Sequence, residues 1–227
     1  MQRTVIVLGM HRSGTSCLTA LLEGAGVVLG EVSRHNRYNL KGNRENSLIL
    51  DLHDSLLGYN NGSWDCPPSL IAWPDYLKEE RNRIIYSFRR SEIWGFKDPR
   101  TLLTLDGWLE ALPEASFAGT FRHPLAVAWS LLQRNRFPLE KSLRLWKIYN
   151  LKLLSIADRF EFPIISFDLQ PEEYRTRVFQ MLDRLSLNKE IETLNYFDDA
   201  LRHAPQSSGA LPEDIAEVYE RLNRKAI

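Results

Sequence analysis

Several features that indicate a metal site, a disulfide scaffold or a membrane protein are scarce in this sequence. Only two of the 227 residues are cysteine, Cys17 and Cys66, and they have neither metal-ligand spacing nor the density of a disulfide scaffold. No apolar run approaches the roughly 20 residues that a membrane span requires. The first such run, Val5 to Leu8, is too short for the core of a signal peptide. These absences predict a soluble protein of the reducing cytoplasm, with no membrane span and no metal site.

Net charge is missing as well. Lysine plus arginine and aspartate plus glutamate each total 29, so the formal charge is zero. The chain as a whole therefore lacks the basic field that attracts nucleic acid or an anionic membrane. We expect no nucleic-acid partner, and any anion must be bound by a local group of side chains.

Short apolar runs alternate with longer segments of helical periodicity. The runs are interpreted as buried strands and comprise Val5 to Leu8, Ile93 to Phe96, Ser116 to Phe121 and Pro163 to Phe167. The helical segments include Thr15 to Glu23, Asn46 to Leu57 and Leu139 to Phe160. This alternation predicts an α/β fold of three layers, similar to P-loop proteins, with a central, mainly parallel sheet flanked by helices. The length suits one core, so residues 1–227 are predicted to form a single domain.

Ligands of such folds bind where the carboxyl ends of the strands meet loops. Loops are predicted to surround the entrance to a substrate site there. They are the three irregular stretches of residues 28–44, 60–73 and 204–211. Aromatic residues could line a sugar or phenol site in this region, or could simply fill the core. They are Tyr38, Tyr59, Trp64, Trp73 and Trp108.

The first strand continues through a loop of sequence GMHRSGTS, residues 9–16, into the first helix. Backbone N–H groups and the positive helix end meet at such a loop, which favours an anion. The spacing of Gly9 and Gly14 matches a nucleotide P-loop, except that Thr15 stands where that motif has lysine. Arg12 can supply the missing charge and a two-pronged donor for a sulfate or phosphate.

Two alternatives for this loop remain open. It could be a tight turn that binds nothing, or part of an ATP or GTP site. Against the second, no buried strand ends in an aspartate suited to magnesium, apart from the pair Phe167 and Asp168.

The loop resembles the 5'-phosphosulfate loop of sulfotransferases that use 3'-phosphoadenosine-5'-phosphosulfate (PAPS). The likeness is to bacterial members near the carbohydrate and tyrosylprotein branch, where arginine replaces the lysine of the cytosolic branch. It implies that the phosphosulfate is held by His11, Arg12, Ser13, Gly14, Thr15 and Ser16.

A second motif is Arg122-His123-Pro124, followed at eight residues from the arginine by Ser130. It resembles the 3'-phosphate site of the same family. Pro124 suits the first turn of a helix, which places Ser130 roughly two turns beyond Arg122. The alternatives are a surface ion pair for Arg122 and a hydroxyl bonded to its own helix for Ser130.

A third segment, residues 94–100, contains Lys97-Asp98-Pro99 and resembles the stretch after the second strand of that branch. The resemblance implies that Lys97 reaches the sulfuryl group or the bridging oxygen. Asp98 and Arg100 would order the loop or touch substrate. The alternative is an Asp-Pro turn with solvated charges.

Residues 39–45, which end in Glu45, resemble a segment of bacterial members and imply that Glu45 is the general base. A glutamate in the first turn of a helix could instead simply complement the helix dipole. Asp65, His53 and Asp54 are the reserve candidates. Near the C-terminus, Phe197 to His203 resembles a basic segment of bacterial members.

These likenesses predict an enzyme that moves a sulfuryl group from PAPS to a hydroxyl of a small-molecule or carbohydrate acceptor, without a metal, and releases adenosine 3',5'-bisphosphate (PAP). Two other functions stay open. One is a P-loop small-molecule kinase that uses magnesium and ATP. The other is a protein that binds PAPS or PAP without turnover.

Overall fold

The computed structural model describes residues 2–33, 42–188 and 210–227. Within these ranges four strands form one parallel sheet in the order β2-β1-β3-β4. The strands are β1 (Arg3–Leu8), β2 (Ile93–Lys97), β3 (Ser116–Phe121) and β4 (Ile164–Ser166). The four predicted strands are confirmed, with ends that differ by at most two residues. The predicted fold class is confirmed too.

The described ranges also contain eight helices. They are α1 (Thr15–Gly24), α2 (Ser47–Tyr59), α3 (Asp75–Ser87), α4 (Thr101–Ala111), α5 (Pro124–Asn135), α6 (Leu139–Arg159), α7 (Pro171–Arg184) and α8 (Glu213–Lys225). The predicted helices correspond to α1, α2 and α6, and α5 begins at Pro124 as expected. The sequence prediction did not delimit α3, α4, α7 or α8.

Side chains of β1 alternate between two apolar layers. Ile6 and Leu8 belong to a core that includes residues of α2, α4, α5, α6 and α8. Val5 and Val7 belong to a second core, built mainly with α1 and α7 on the other face of the sheet. Because successive side chains of a strand point to opposite faces, an apolar run buried on both sides is typical of a central parallel strand. This is the predicted three-layer arrangement.

The chain passes from β1 to β2 on one side and then to β3 on the other. The order of strands thus reverses beside β1, and the crevice at the carboxyl ends of such strands is where α/β folds bind ligands. The loop after Leu8 lies at this reversal. The fold therefore places residues 9–16 at the preferred ligand edge.

The predicted irregular stretches are only partly described. Residues 60–73 contain no helix or strand segment beyond an isolated bridge between Ser63 and Cys66. Residues 34–41, with Tyr38, lie outside the described part, as do residues 189–209, with the segment from Phe197 to His203. Among the helices that are described, none is long and apolar enough to cross a membrane.

Candidate active site

The loop after β1 depends on glycine at two positions. A Cβ at Gly9 would lie 2.5 Å from the carbonyl oxygen of Thr120. Gly14 has φ of 81°, and a Cβ there would lie 2.2 Å from the ring of Phe167. The hydroxyl of Thr120 also donates to the carbonyl of Ser13 at 3.1 Å. The ends of β3 and β4 therefore hold this loop in a shape that a larger residue would disrupt.

The loop leads directly into α1. Gly14 is its N-cap and supplies no side-chain cap, and the first N–H groups of a helix have no partner within the helix. Thr15 and Ser16 line a cavity at this point, together with His11 and Arg12. The Ser16 hydroxyl donates to the carbonyl of Asn43 at 3.0 Å. Backbone and hydroxyl donors thus converge where an anion is predicted to bind.

Arg12 connects the loop to α5. Its Nε donates to the Oγ of Ser130 at 2.7 Å, so the Ser130 hydroxyl is engaged by another part of the chain. Burial, with repulsion from Arg134 and Arg122, lowers the pKa of Arg12 to about 10. The guanidinium is still charged at neutral pH. Three cations held this near one another favour a bound anion, which would relieve their repulsion.

Arg122, at the end of β3, is buried rather than solvated at the surface. Its Nε lies 3.7 Å from a carboxylate oxygen of Asp168, and its guanidinium lies 5.3 Å from the ring centre of Phe167. Asp168 also accepts from the backbone N–H of His123 at 2.6 Å. The aspartate that the sequence singled out for magnesium is therefore engaged with Arg122 and the start of α5.

Lys97 and Glu45 form an ion pair, with Nζ 2.8 Å from Oε1. Lys97 is only 2% exposed at the end of β2. Glu45 precedes Asn46, the N-cap of α2, whose side chain accepts from the N–H of Leu48. Because Glu45 lies outside the first helical turn, the helix-dipole explanation does not describe its position. Instead the structure pairs it with Lys97, another side chain predicted to be catalytic.

A buried network lies behind the loop after β2. The N–H of Arg100 donates to Asp98 at 2.8 Å, and its guanidinium contacts both oxygens of that carboxylate. Nδ1 of His53 lies 3.5 Å from Asp98, while Nε2 accepts from the indole N–H of Trp108 at 2.8 Å. Burial opposes ionisation of Asp98, but His53 and Arg100 hold its pKa below the usual range.

This network shows where four of the residues singled out from the sequence lie. Asp98 and Arg100 order the loop, and Arg100 also lines the cavity. His53 is completely buried in the network. Asp54 is half exposed and pairs with Nε of Arg100 at 2.7 Å.

Aromatic rings form one wall of the site. The ring of Trp64 lies 4.5 Å from that of His11 and 5.7 Å from that of Phe137, measured between centroids. The Tyr149 hydroxyl donates to the Trp64 carbonyl at 2.7 Å. Burial and the charge of Arg100 lower the pKa of His11 to about 3, so its imidazole is neutral at physiological pH. Asp65, which follows Trp64 in the chain, pairs with Lys141 at 2.6 Å.

These groups surround a cavity of about 220 Å³. It is lined by His11, Arg12, Thr15, Ser16, Asn43, Glu45, Leu50, Trp64, Lys97, Pro99, Arg100, Arg134 and Asn135. The sequence prediction missed Arg134, although it lies one helical turn after Ser130 on α5. That spacing was a usable signal, because residues four apart share a helix face.

A larger hollow of about 630 Å³ lies elsewhere, at the amino ends of β3 and β4, where Ser116 and Pro163 line it. Parallel α/β sheets bind ligands at the opposite edge. The predicted site residues that share one cavity lie at the carboxyl edge, and we assign the site there.

Comparison with known proteins begins with two negative results: no protein-family profile matches the chain, and no curated protein matches it. Solved structures do match. The sulfotransferase domain of the Synechococcus PCC 7002 olefin synthase superposes with a TM-score of 0.65 and 17% identity, covering 98% of this chain and 95% of that domain. The chain has a sulfotransferase fold.

Two other structures agree with this assignment. The sulfotransferase domain from the curacin biosynthetic pathway gives a TM-score of 0.62 at 12% identity, with 98% of each chain covered. A sulfotransferase from Mycobacterium avium gives 0.56 at 15% identity, covering 99% of this chain and 75% of that one. At such low identities the similarity establishes the fold. The chemistry must be argued from the site residues.

Proposed function

We propose that the chain is a sulfotransferase that transfers a sulfuryl group from PAPS to a hydroxyl of a small-molecule or carbohydrate acceptor. The observation that carries this is the hydrogen bond from Arg12 to Ser130. It joins the residues expected at a 5'-phosphosulfate to those expected at a 3'-phosphate. A nucleotide with phosphates at both positions needs two such anion sites side by side.

The donor would be held from two sides. The N–H groups of the loop and of the start of α1, with Arg12, Thr15 and Ser16, suit the 5'-phosphosulfate. His11, Ser13 and Gly14 give the loop its shape. Arg122 and Ser130 suit the 3'-phosphate, and the repulsion between Arg12 and Arg122 provides a further reason for an anion to bind between them.

Transfer then needs the acceptor oxygen, the sulfur and the leaving oxygen in line. The acceptor oxygen forms a bond to sulfur while the bond from sulfur to the bridging oxygen breaks, and PAP leaves. Lys97 and Arg12 neutralise the charge that grows on the leaving oxygen. Glu45 takes the proton of the acceptor hydroxyl. The ion pair between Lys97 and Glu45 supports this division of roles, because it keeps the acid–base group beside the sulfuryl-binding cation.

A magnesium-dependent kinase fits the site less well. Thr15 stands at the position of the P-loop lysine. The aspartate best placed to hold a metal, Asp168, contacts Arg122 and a backbone N–H.

Other parts of the proposal rest on the sequence alone. They are the similarity to the carbohydrate and tyrosylprotein branch, the single domain over residues 1–227, the cytoplasmic location and catalysis without a metal. The same holds for the absence of a nucleic-acid partner.

Calorimetric titration with PAP and with magnesium ATP, on the same protein, tests the donor. We expect PAP to bind without magnesium and Arg12→Gln to weaken it by about 10–100-fold, since a hydrogen bond to a charged group contributes about 1.5–3 kcal/mol. Arg159→Gln is the matched control, because Arg159 is exposed at the opposite edge of the sheet. Absence of PAP binding to the wild type would contradict the proposal, as would tighter binding of magnesium ATP.

A further inference from the structure

Arg134 is a cation of the site, and it has no role in the transfer reaction proposed above. It lies in the last turn of α5 and lines the cavity with Lys97, Glu45 and Trp64. It is also close enough to Arg12 and His11 for its charge to lower the pKa of both. It therefore belongs to the reaction site and not to the outer surface of α5.

The other cations of the cavity already have partners. Lys97 is paired with Glu45, and Arg100 with Asp98 and Asp54. Arg12 donates to Ser130 and belongs to the phosphosulfate loop. In the described part of the chain, the side chain of Arg134 makes neither a hydrogen bond nor an ion pair. A half-buried guanidinium with no partner is costly, and an oxyanion would satisfy it.

Arg134 lies one helical turn beyond Ser130 on α5, but the lining of the cavity distinguishes it from the residues expected at the donor's 3'-phosphate. Arg122 and Ser130, the residues expected at that phosphate, do not line the cavity, whereas Arg134 does. Glu45, expected at the acceptor hydroxyl, lines the same cavity. Arg134 thus shares a space with the group that meets the acceptor.

We propose that the acceptor carries an oxyanion, either a carboxylate or a phosphate, beside the hydroxyl that is sulfated, and that Arg134 binds it. This inference rests on the proposed sulfotransferase function. The cavity of about 220 Å³, part of which the donor's sulfuryl group would occupy, is smaller than the usual drug-sized pocket of roughly 300–1,000 Å³. It suits a group no larger than a monosaccharide or a substituted phenol. The rings of Trp64 and His11 supply the apolar wall against which such a group packs.

Two matched sets of probes test the charge requirement. The first is methyl glucoside, the methyl glycoside of glucuronic acid with its carboxylate free, and methyl glucoside 6-phosphate, which share a ring and differ in the group at carbon 6. The second is 4-hydroxyphenylacetamide and 4-hydroxyphenylacetate. Each is titrated calorimetrically into wild-type protein saturated with PAP, so that the phosphate loop is already occupied. The Arg134→Gln variant and the Arg136→Gln control follow, since Arg136 is exposed just beyond the end of α5.

We expect at least one charged probe to bind about tenfold or more tightly than its neutral counterpart. Whether the glucuronide or the sugar phosphate binds better distinguishes carboxylate from phosphate. Arg134→Gln should abolish the preference and leave PAP affinity within about threefold, whereas Arg136→Gln should change neither.

Three outcomes would overturn the inference. One is the lack of any preference for the charged probes in both sets. Another is a tenfold or greater loss of PAP affinity in Arg134→Gln with the preference intact, which would make Arg134 a donor residue. The third is wild-type protein that does not bind PAP, since the proposed function then fails and the assignment to an acceptor fails with it.

Discussion

Arg12 and Ser130 are 118 positions apart in the chain, yet Nε of one lies 2.7 Å from Oγ of the other. The contact joins the loop after β1 to the second turn of α5. These two elements come together because β1 and β3 are adjacent in the sheet and both end at the same edge. The predicted phosphosulfate and 3'-phosphate sites are therefore one continuous surface.

A double-mutant cycle tests this continuity. Arg12→Gln and Ser130→Ala should each weaken PAP binding, because each removes a donor to the nucleotide as well as the contact between the two residues. Their effects should be coupled by about 0.5–3 kcal/mol, as expected for side chains in contact. Titration calorimetry on the four proteins measures the coupling. Effects that add to within about 0.3 kcal/mol would show that the two residues act independently.

Glu45 is predicted to accept the acceptor proton. Glu45→Gln should lower kcat by about 10²–10⁴-fold for an alcohol acceptor, which is the usual contribution of a general base. It should have much less effect with 4-nitrophenol, which is largely ionised already at mildly alkaline pH. PAP affinity should hardly change.

The matched control is Asp51→Asn, an exposed carboxylate on α2. Asp51→Asn should leave kcat unchanged, measured as the rate at which PAP is formed. Equal losses with both acceptors in Glu45→Gln would instead indicate that Glu45 acts only by positioning Lys97.

Two glycines with positive φ provide a matched test of the loop. Gly14 has φ of 81° and Gly26 has φ of 97°, but a Cβ would strike Phe167 only at Gly14. Gly26→Ala should cost about 1–2 kcal/mol of unfolding free energy, from backbone strain alone. Gly14→Ala should cost more and also weaken PAP binding. Urea unfolding and calorimetry measure both. If the two variants lose the same unfolding free energy and Gly14→Ala retains its PAP affinity, Phe167 moves aside.

The lowered pKa of His11 predicts a pH dependence of stability. Its pKa is about 3 in the folded protein against an ordinary value of 6.5. The unfolded chain therefore binds a proton that the folded protein does not, so stability is complete above pH 6.5 and falls as the pH drops towards 3. Because burial keeps the imidazole neutral in the folded protein, the loss should be about 1 kcal/mol per pH unit.

Urea unfolding at pH 6.5 and 4.5 checks this effect. The wild type should lose about 1–2 kcal/mol more than His11→Gln over that interval. The carboxylates titrate in both proteins and cancel in the comparison. If the wild type and His11→Gln lose the same unfolding free energy, His11 takes up a proton in the folded state.

Most of the fold features that were predicted correctly rest on patterns within short stretches of the sequence. The apolar runs marked four strands of the sheet because a buried parallel strand needs little beyond continuous apolar side chains. The pair Gly9 and Gly14 marked the loop because a Cβ at Gly9 would strike Thr120 and Gly14 adopts a positive φ. Helices α3 and α7 were not delimited, since each has more polar than apolar residues and is stabilised by packing against the rest of the chain.

The amino-acid sequence by itself determined the four strands to within two residues, the position of the loop after β1 and the residue types available to it, because steric limits and side-chain periodicity act within a few residues. Only the tertiary structure decided which of these residues meet. Lys97 pairs with Glu45 from 52 positions away, while His53 is buried. Arg134, and not Arg136, lines the cavity. These outcomes depend on how helices pack on the sheet, which no short stretch of sequence specifies.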